Sequence, residues 1–301
     1  MNRRIVWFFV VMMAVISGCK TPAPVEKPVV NYEALAENAF ISGDWQNALA
    51  NCEIAISNYE SQKKFIECPL YGKAGIAAMH LEQTQKSLEY LEKNSYTPFV
   101  TMETIHAQAI QYRQVNNLSK EIDALTLYSD KFPEGEDAAA FKARLFETCL
   151  ESQNYELATS LWATLNEEYR SSTKYLEMWM IMNKRMKNDP VCDEIARALI
   201  KTDAENVLGL ERLAKKYYWL AEDRYQAEMK AYENKKTNKQ YAILVEALKK
   251  VTEDFKVSLK YFETLYKINP APDYATFMGN IYARFDDKKN ADYYHRLGTK
   301  Q

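Results

Sequence analysis

Apolar residues return along most of this chain at steps of three and four, the period of helices that bury one stripe. The pattern also repeats itself on a longer scale. The stretch YEALAENAFISGDWQNALANCEIAI places Tyr32, Leu35, Ala36 and Ala39 before Gly43-Asp44-Trp45, and Ala48, Cys52 and Ala55 after it. A second unit carries Tyr71, Ala74, Gly75, Ala78, Ser87 and Leu91, and a third Ile105, Ala109, Tyr112, Leu125, Tyr128 and Phe132-Pro133. In the third, Glu121 stands where the others keep a small residue. A fourth has Leu145, Cys149, Tyr155, Ala158, Trp162 and Leu165, and a fifth Leu176, Trp179, Cys192, Ala196 and Leu199, with Asp189-Pro190 opening its second helix. A sixth begins with Leu210, Leu213, Ala214 and Tyr217, and the last has Gly279, Ile281, Tyr282 and Ala291. Aligning Gly75, Ala109, Phe146, Met180 and Ala214 gives steps of 34, 37, 34 and 34 residues. Such a period predicts stacked helix pairs in which small residues let two helices cross closely and larger apolar ones fill the space between them.

The spacing resembles the 34-residue tetratricopeptide repeat (TPR). That resemblance implies an all-α fold, a right-handed α-solenoid of about seven helix hairpins over residues 31–301. It also implies a concave groove lined by the first helix of each pair. The groove positions include His106, Ile110, Arg113, Lys184, Arg185, Lys215, Tyr218, Trp219 and Arg284. Cations mixed with aromatic and apolar surface suit an extended or acidic peptide segment; an ordinary hydrated surface is the competing reading. The first unit has Glu33 and Glu37 where TPR clamps for C-terminal carboxylates keep Lys and Asn, so that specificity does not carry over. Trp45, Trp162 and Trp179 face the partner helix and are expected in the core.

The sixth unit is interrupted. Its second helix, DFKVSLKYFETLYKINP, matches through Ser258, Phe262, Leu265 and Pro270, but about 32 residues late. Tyr218, Tyr225 and Tyr232 recur at sevens on the way out, and Tyr241, Leu244, Leu248, Val251 and Phe255 alternate threes and fours on the return. That seam predicts one repeat, residues 206–270, with both helices lengthened by about 16 residues, or about 24 Å. Two extra short helices folded back on the solenoid are the alternative. The exposed part is a candidate docking arm carrying Tyr225, Tyr232 and Tyr241, with a purely structural prong as the competing reading.

The N-terminus has a separate logic. Arg3 and Arg4 precede an apolar run of 12 residues, Ile5 to Ile16, too short to span a membrane and suited to a signal-peptide core. Ile16-Ser17-Gly18-Cys19 then resembles the lipobox of bacterial lipoproteins. The resemblance implies a signal peptide over 1–18, lipidation of Cys19, and a lipid-anchored protein of the cell envelope, at the outer membrane facing the periplasm. Residues 19–30, with three prolines in KTPAPVEKP, read as an extended tether.

Composition removes several functions. A net charge of −2 provides no global field for nucleic acid, and 8 glycines in 301 residues argue against phosphate loops and turn-dense β folds. His80, His106 and His295 have no metal-ligand spacing, and Cys52, Cys68, Cys149 and Cys192 form no C-x-x-C; they read as small packing residues, with disulfides in an exported protein as the alternative and Cys52–Cys68 the nearest pair. Glu167-Glu168, Asp286-Asp287 and Glu222-Asp223 read as solvated. No hydrolase, nucleotide-binding or metalloprotease motif occurs. The expectation is a non-enzymatic scaffold without cofactor or metal, binding envelope proteins or peptide segments. The alternative is a glycan or peptide receptor serving an outer-membrane transporter.

Overall fold

A left-handed residue and a capping side chain punctuate the chain at regular intervals, and the hairpins form around them. The computed structural model describes residues 30–299; the signal-peptide-like segment, Cys19 and the tether up to residue 29 lie outside the described residues. Seven hairpins follow one another. They are α1 (Tyr32–Ile41) with α2 (Trp45–Ser61), α3 (Tyr71–His80) with α4 (Thr84–Ser95), α5 (Met102–Gln114) with α6 (Leu118–Lys131), and α7 (Ala138–Glu151) with α8 (Tyr155–Thr164). A short α9 (Glu167–Ser171) precedes α10 (Thr173–Arg185) with α11 (Asp189–Thr202). Then come α12 (Val207–Asn234) with α13 (Asn238–Ile268) and α14 (Pro272–Arg284) with α15 (Lys288–Gly298). No strand occurs among the described residues. Second helices α2, α4, α6, α11 and α13 pack both on their own first helix and on the next one, so the hairpins stack as an α-solenoid.

Within six hairpins the first helix ends in a residue at positive φ: Gly43, Glu82, Asn116, Gln153, Lys187 and Asp286. The next residue starts the second helix. Asp44, Asn117, Asn154 and Asp287 accept a backbone N–H there through their side chains. In the sixth hairpin the corresponding residue is Ala221, buried and helical, so α12 runs on for 28 residues and α13 returns over 31. Leu244, Val251, Phe255, Ser258, Phe262 and Leu265 form its buried seam, while Tyr241 near the tip is 55% exposed. The sixth unit is therefore one elongated hairpin rather than two extra short helices.

The two helices of a hairpin approach closely at a pair of small positions. An added Cβ on Gly75 would stand 2.5 Å from Leu91 Cγ, and Ser87 across the hairpin donates to the Gly75 carbonyl at 2.8 Å. The four repeat cysteines are buried and free, and burial pushes the Cys52 thiol up to about 12 and the Cys149 thiol to about 11. Trp179 is buried and stacks on Trp162 at 4.8 Å, but Trp162 and Trp45 are only half-buried; Trp45 stacks on His80 at 4.0 Å.

Leu35 departs from the expected core. Its equivalents Ala74, Leu145, Trp179, Leu213 and Met278 are all buried because a preceding hairpin covers them, whereas Leu35, which no hairpin precedes among the described residues, is 44% exposed. Leu145→Ala is therefore expected to cost about 2–5 kcal/mol, and Leu35→Ala less than about 0.5 kcal/mol. Equilibrium urea unfolding checks both, and equal losses would contradict this difference in burial.

Candidate functional site

The groove residues do not form one continuous surface; neighbouring first helices divide them among three hollows. His106 and Ile110 on α5 are exposed, and with Arg113 they line a hollow of about 380 Å³ against Leu125 of α6 and Phe141 and Arg144 of α7. The His106 ring stands edge-on to Phe141 with centroids 5.1 Å apart, and Phe141 stacks on Tyr128 at 3.8 Å. Arg185 lines a second hollow with Met178 and Ile181, and its guanidinium donates to the Tyr155 hydroxyl at 3.0 Å. Lys184, Lys215 and Trp219 share a third, of about 260 Å³, between α10 and α12. Trp219 is 52% exposed.

Three of the expected groove groups are committed elsewhere. Tyr218 is buried, packed edge-on against Phe255 and Phe277, so it belongs to the core and not to the groove. The Arg284 guanidinium donates to both carboxylate oxygens of Glu222 and lies 4.2 Å over the Tyr225 ring. Glu222 is thus a half-buried partner rather than part of a solvated face. Burial would raise its pKa, but the Arg284 and Gln226 hydrogen bonds and the Arg284 charge hold it below the usual carboxylate value. Arg113 donates to Glu151 at 2.9 Å, so it is not a free cation either. Lys184 has no carboxylate partner among the described residues, and Lys215 stands 3.8 Å from Glu211.

The docking-arm tyrosines also separate. Tyr225 is half-buried beneath Arg284 at the base of the arm, whereas Tyr232 and Tyr241 meet near the tip with ring centroids 5.8 Å apart. The turn between them exposes Lys235, Lys236 and Lys239.

The polar floor of the α5–α7 region was not anticipated. Glu121, in the place of a small residue, is 2% exposed and accepts from Arg144 Nε at 2.9 Å. Arg144 Nη1 donates to Glu147 at 2.8 Å, and Lys174 and the Tyr175 hydroxyl donate to Glu147 at 2.6 and 2.7 Å. Burial would raise the Glu147 pKa, but these hydrogen bonds and the Lys174 and Arg144 charges outweigh it and hold the group below its ordinary value. Glu151 is lowered chiefly by its Arg113 hydrogen bond. The one sequence signal for this network is the misplaced charge at residue 121. Among the described residues no cluster of three or more His, Cys, Asp or Glu could hold a metal ion, and no helix is long and apolar enough to cross a membrane.

No family model matches the chain, and no curated protein is significantly similar to it. Several solved helical proteins are similar. A candidate protein-binding protein from Bacteroides ovatus is 15% identical over 72% of this chain and 98% of its own, with a TM-score of 0.49. A tetratricopeptide repeat protein from Parabacteroides merdae is 14% identical over 90% and 94%, with a TM-score of 0.40. The C-terminal part of a TPR protein from Cytophaga hutchinsonii is 12% identical over 89% and 94%, at 0.45. Similarity of this degree assigns no ligand.

Because the folded pKa of Glu147 lies below its unfolded value, its contribution is complete above the ordinary carboxylate pKa of about 4.3. It disappears as pH falls through the folded value. Glu147→Gln should thus lower stability by about 2 kcal/mol at pH 7, with the difference from wild type shrinking in acid. Urea midpoints at pH 7 and at about pH 3 check this; a difference that grew in acid would contradict it.

Proposed function

We propose that the chain is a non-enzymatic protein-interaction scaffold of the bacterial cell envelope, anchored by lipid on Cys19 to the outer membrane and facing the periplasm. The observation that carries the binding role is the half-exposed Trp219 beside Lys184 and Lys215 on adjoining first helices. A large aromatic surface next to cations, left uncovered by the fold, is the kind of group that anchors a protein partner. Ile110, 38% exposed on α5, supplies a second apolar point on another first helix. The lipobox-like ISGC and the tether support the anchor, and the repeats supply the cargo it holds.

A photo-crosslinking residue placed at Trp219 or Ile110, in cells making the protein, should give discrete adducts with another envelope protein. Adducts from neither position would remove the scaffold reading. Cys19→Ala should move the protein out of the lipid-anchored membrane fraction with unchanged helical circular dichroism. Retention there with an unmodified thiol in the wild type would remove the anchor.

A further inference from the structure

Seen from its floor, the α5–α7 hollow is more selective than an apolar recess. Its walls are Ala109, Ile110 and His106 on one side and Ala140 and Phe141 on the other, with Leu125 beneath. Its volume of about 380 Å³ lies in the roughly 300–1,000 Å³ range of ligand sites. Glu121 and Arg144 also border it, and each keeps one polar atom without a hydrogen bond. Glu121 Oε1 takes the Arg144 Nε–H, but Oε2 has no donor at hydrogen-bond geometry, although Arg113 Nη1 stands 3.5 Å away. Arg144 Nη2 likewise lacks an acceptor; a Glu151 carboxylate oxygen stands 3.8 Å away, beyond hydrogen-bond distance. Buried polar atoms left in this state are rare and costly.

We propose that this hollow receives the side chain of a tyrosine from a partner segment, whose phenol hydroxyl donates to Glu121 and accepts from Arg144. The inference rests on the protein-interaction reading for the segment that carries the tyrosine. The recess itself requires a group with an apolar body and, at its end, one donor and one acceptor. Phenylalanine lacks both polar functions, and the tryptophan indole only donates. A carboxylate would face Glu121 as a like charge, and a serine hydroxyl has no body to cover Ile110 and Phe141. Phenol satisfies all of these conditions.

The chain itself makes the donor half of this match one turn away. Arg144 Nη1 and the Tyr175 hydroxyl both donate to Glu147, so a tyrosine already completes the other carboxylate that this arginine serves. Tyr71 with Glu60, Tyr90 with Glu53, Tyr274 with Glu211 and Tyr282 with Glu263 pair in the same way. Glu121 and Arg144 border the hollow, each with a buried polar atom that no tyrosine of the described residues serves.

The test uses p-cresol, the tyrosine side-chain analogue, and toluene, which lacks only the hydroxyl. Both are titrated into the full chain while the Ile110 methyl signal is followed by NMR. p-Cresol should shift that signal saturably and bind about tenfold more tightly than toluene. Glu121→Gln should bring the two within about twofold of each other, and Ala140→Leu, which fills the hollow from an exposed wall, should abolish both responses. Should Glu121→Gln fail to fold, the p-cresol-to-toluene ratio and the Ala140→Leu result still decide. Equal affinities, no saturable shift, or a shift indifferent to Ala140→Leu would overturn the proposal. Because no protein partner is needed, p-cresol binding without any crosslinked protein would remove the scaffold reading and leave the phenol site standing.

Discussion

Each hairpin is fixed where its two helices cross most closely, and the residues at that crossing set the register of everything around them. In three hairpins a small side chain on the second helix donates to a carbonyl of the first: Ser87 to Gly75 at 2.8 Å, Cys192 to Met180 at 3.8 Å and Ser258 to Ala214 at 2.8 Å. Ala48, Ala158 and Ala291 hold the same place elsewhere, all buried. The partners are 12 residues apart in the second and fifth hairpins and 44 apart in the sixth. The contact is the same at both separations, so the crossing, and not loop length, determines the packing. Extra residues can then only emerge at the far end, as the arm.

What turns the other six hairpins back is a local conflict with helix geometry. A residue at positive φ followed by a capping position closes the first helix after a fixed count. Ala221 and Glu222 occupy those places in α12, and both favour continuing a helix. The run-on alters the surface near it. Glu222 now meets Arg284 of the next hairpin and Tyr225 lies beneath that guanidinium, so the base of the arm is joined to the seventh repeat. Phe255 of the returning helix and Phe277 of α14 enclose Tyr218. The base of the arm is thereby structural, and only its tip remains open.

This division explains what could be read without coordinates. Repeat spacing, crossing residues and the long seam lie along one helix or one hairpin, and periodicity records them directly. The state of a groove cation does not lie along one helix. Arg113 is neutralised by Glu151, 38 residues on, and Arg284 by Glu222, 62 residues back. Both pairings depend on how one helix is rotated against another, which no spacing within either helix reports. Lys184 and Trp219 are exposed, and the carboxylates that share their hollow, Asp189 and Glu211, face Arg212 and Lys215 instead. Leu35 fails for a simpler reason: the repeat pattern assumes a neighbour on both sides, and among the described residues no hairpin precedes the first.

Glu121 joins the two themes, since it breaks the crossing rule and creates the polar floor. A carboxylate where other hairpins keep Ala, Ser or Cys must be matched or its burial is prohibitive. Arg113 and Arg144 approach it from α5 and α7, and each arginine then requires its own acid, Glu151 and Glu147. One substitution at a crossing thus commits four further charged residues on two first helices. Apolar residues of similar volume often replace such a network with no loss of stability or with a gain, so stability is a weak reason for keeping it. The pairing is also incomplete, with one acceptor and one donor lacking a hydrogen-bond partner. Their place beside the apolar hollow gives the misplaced carboxylate a use that packing alone does not.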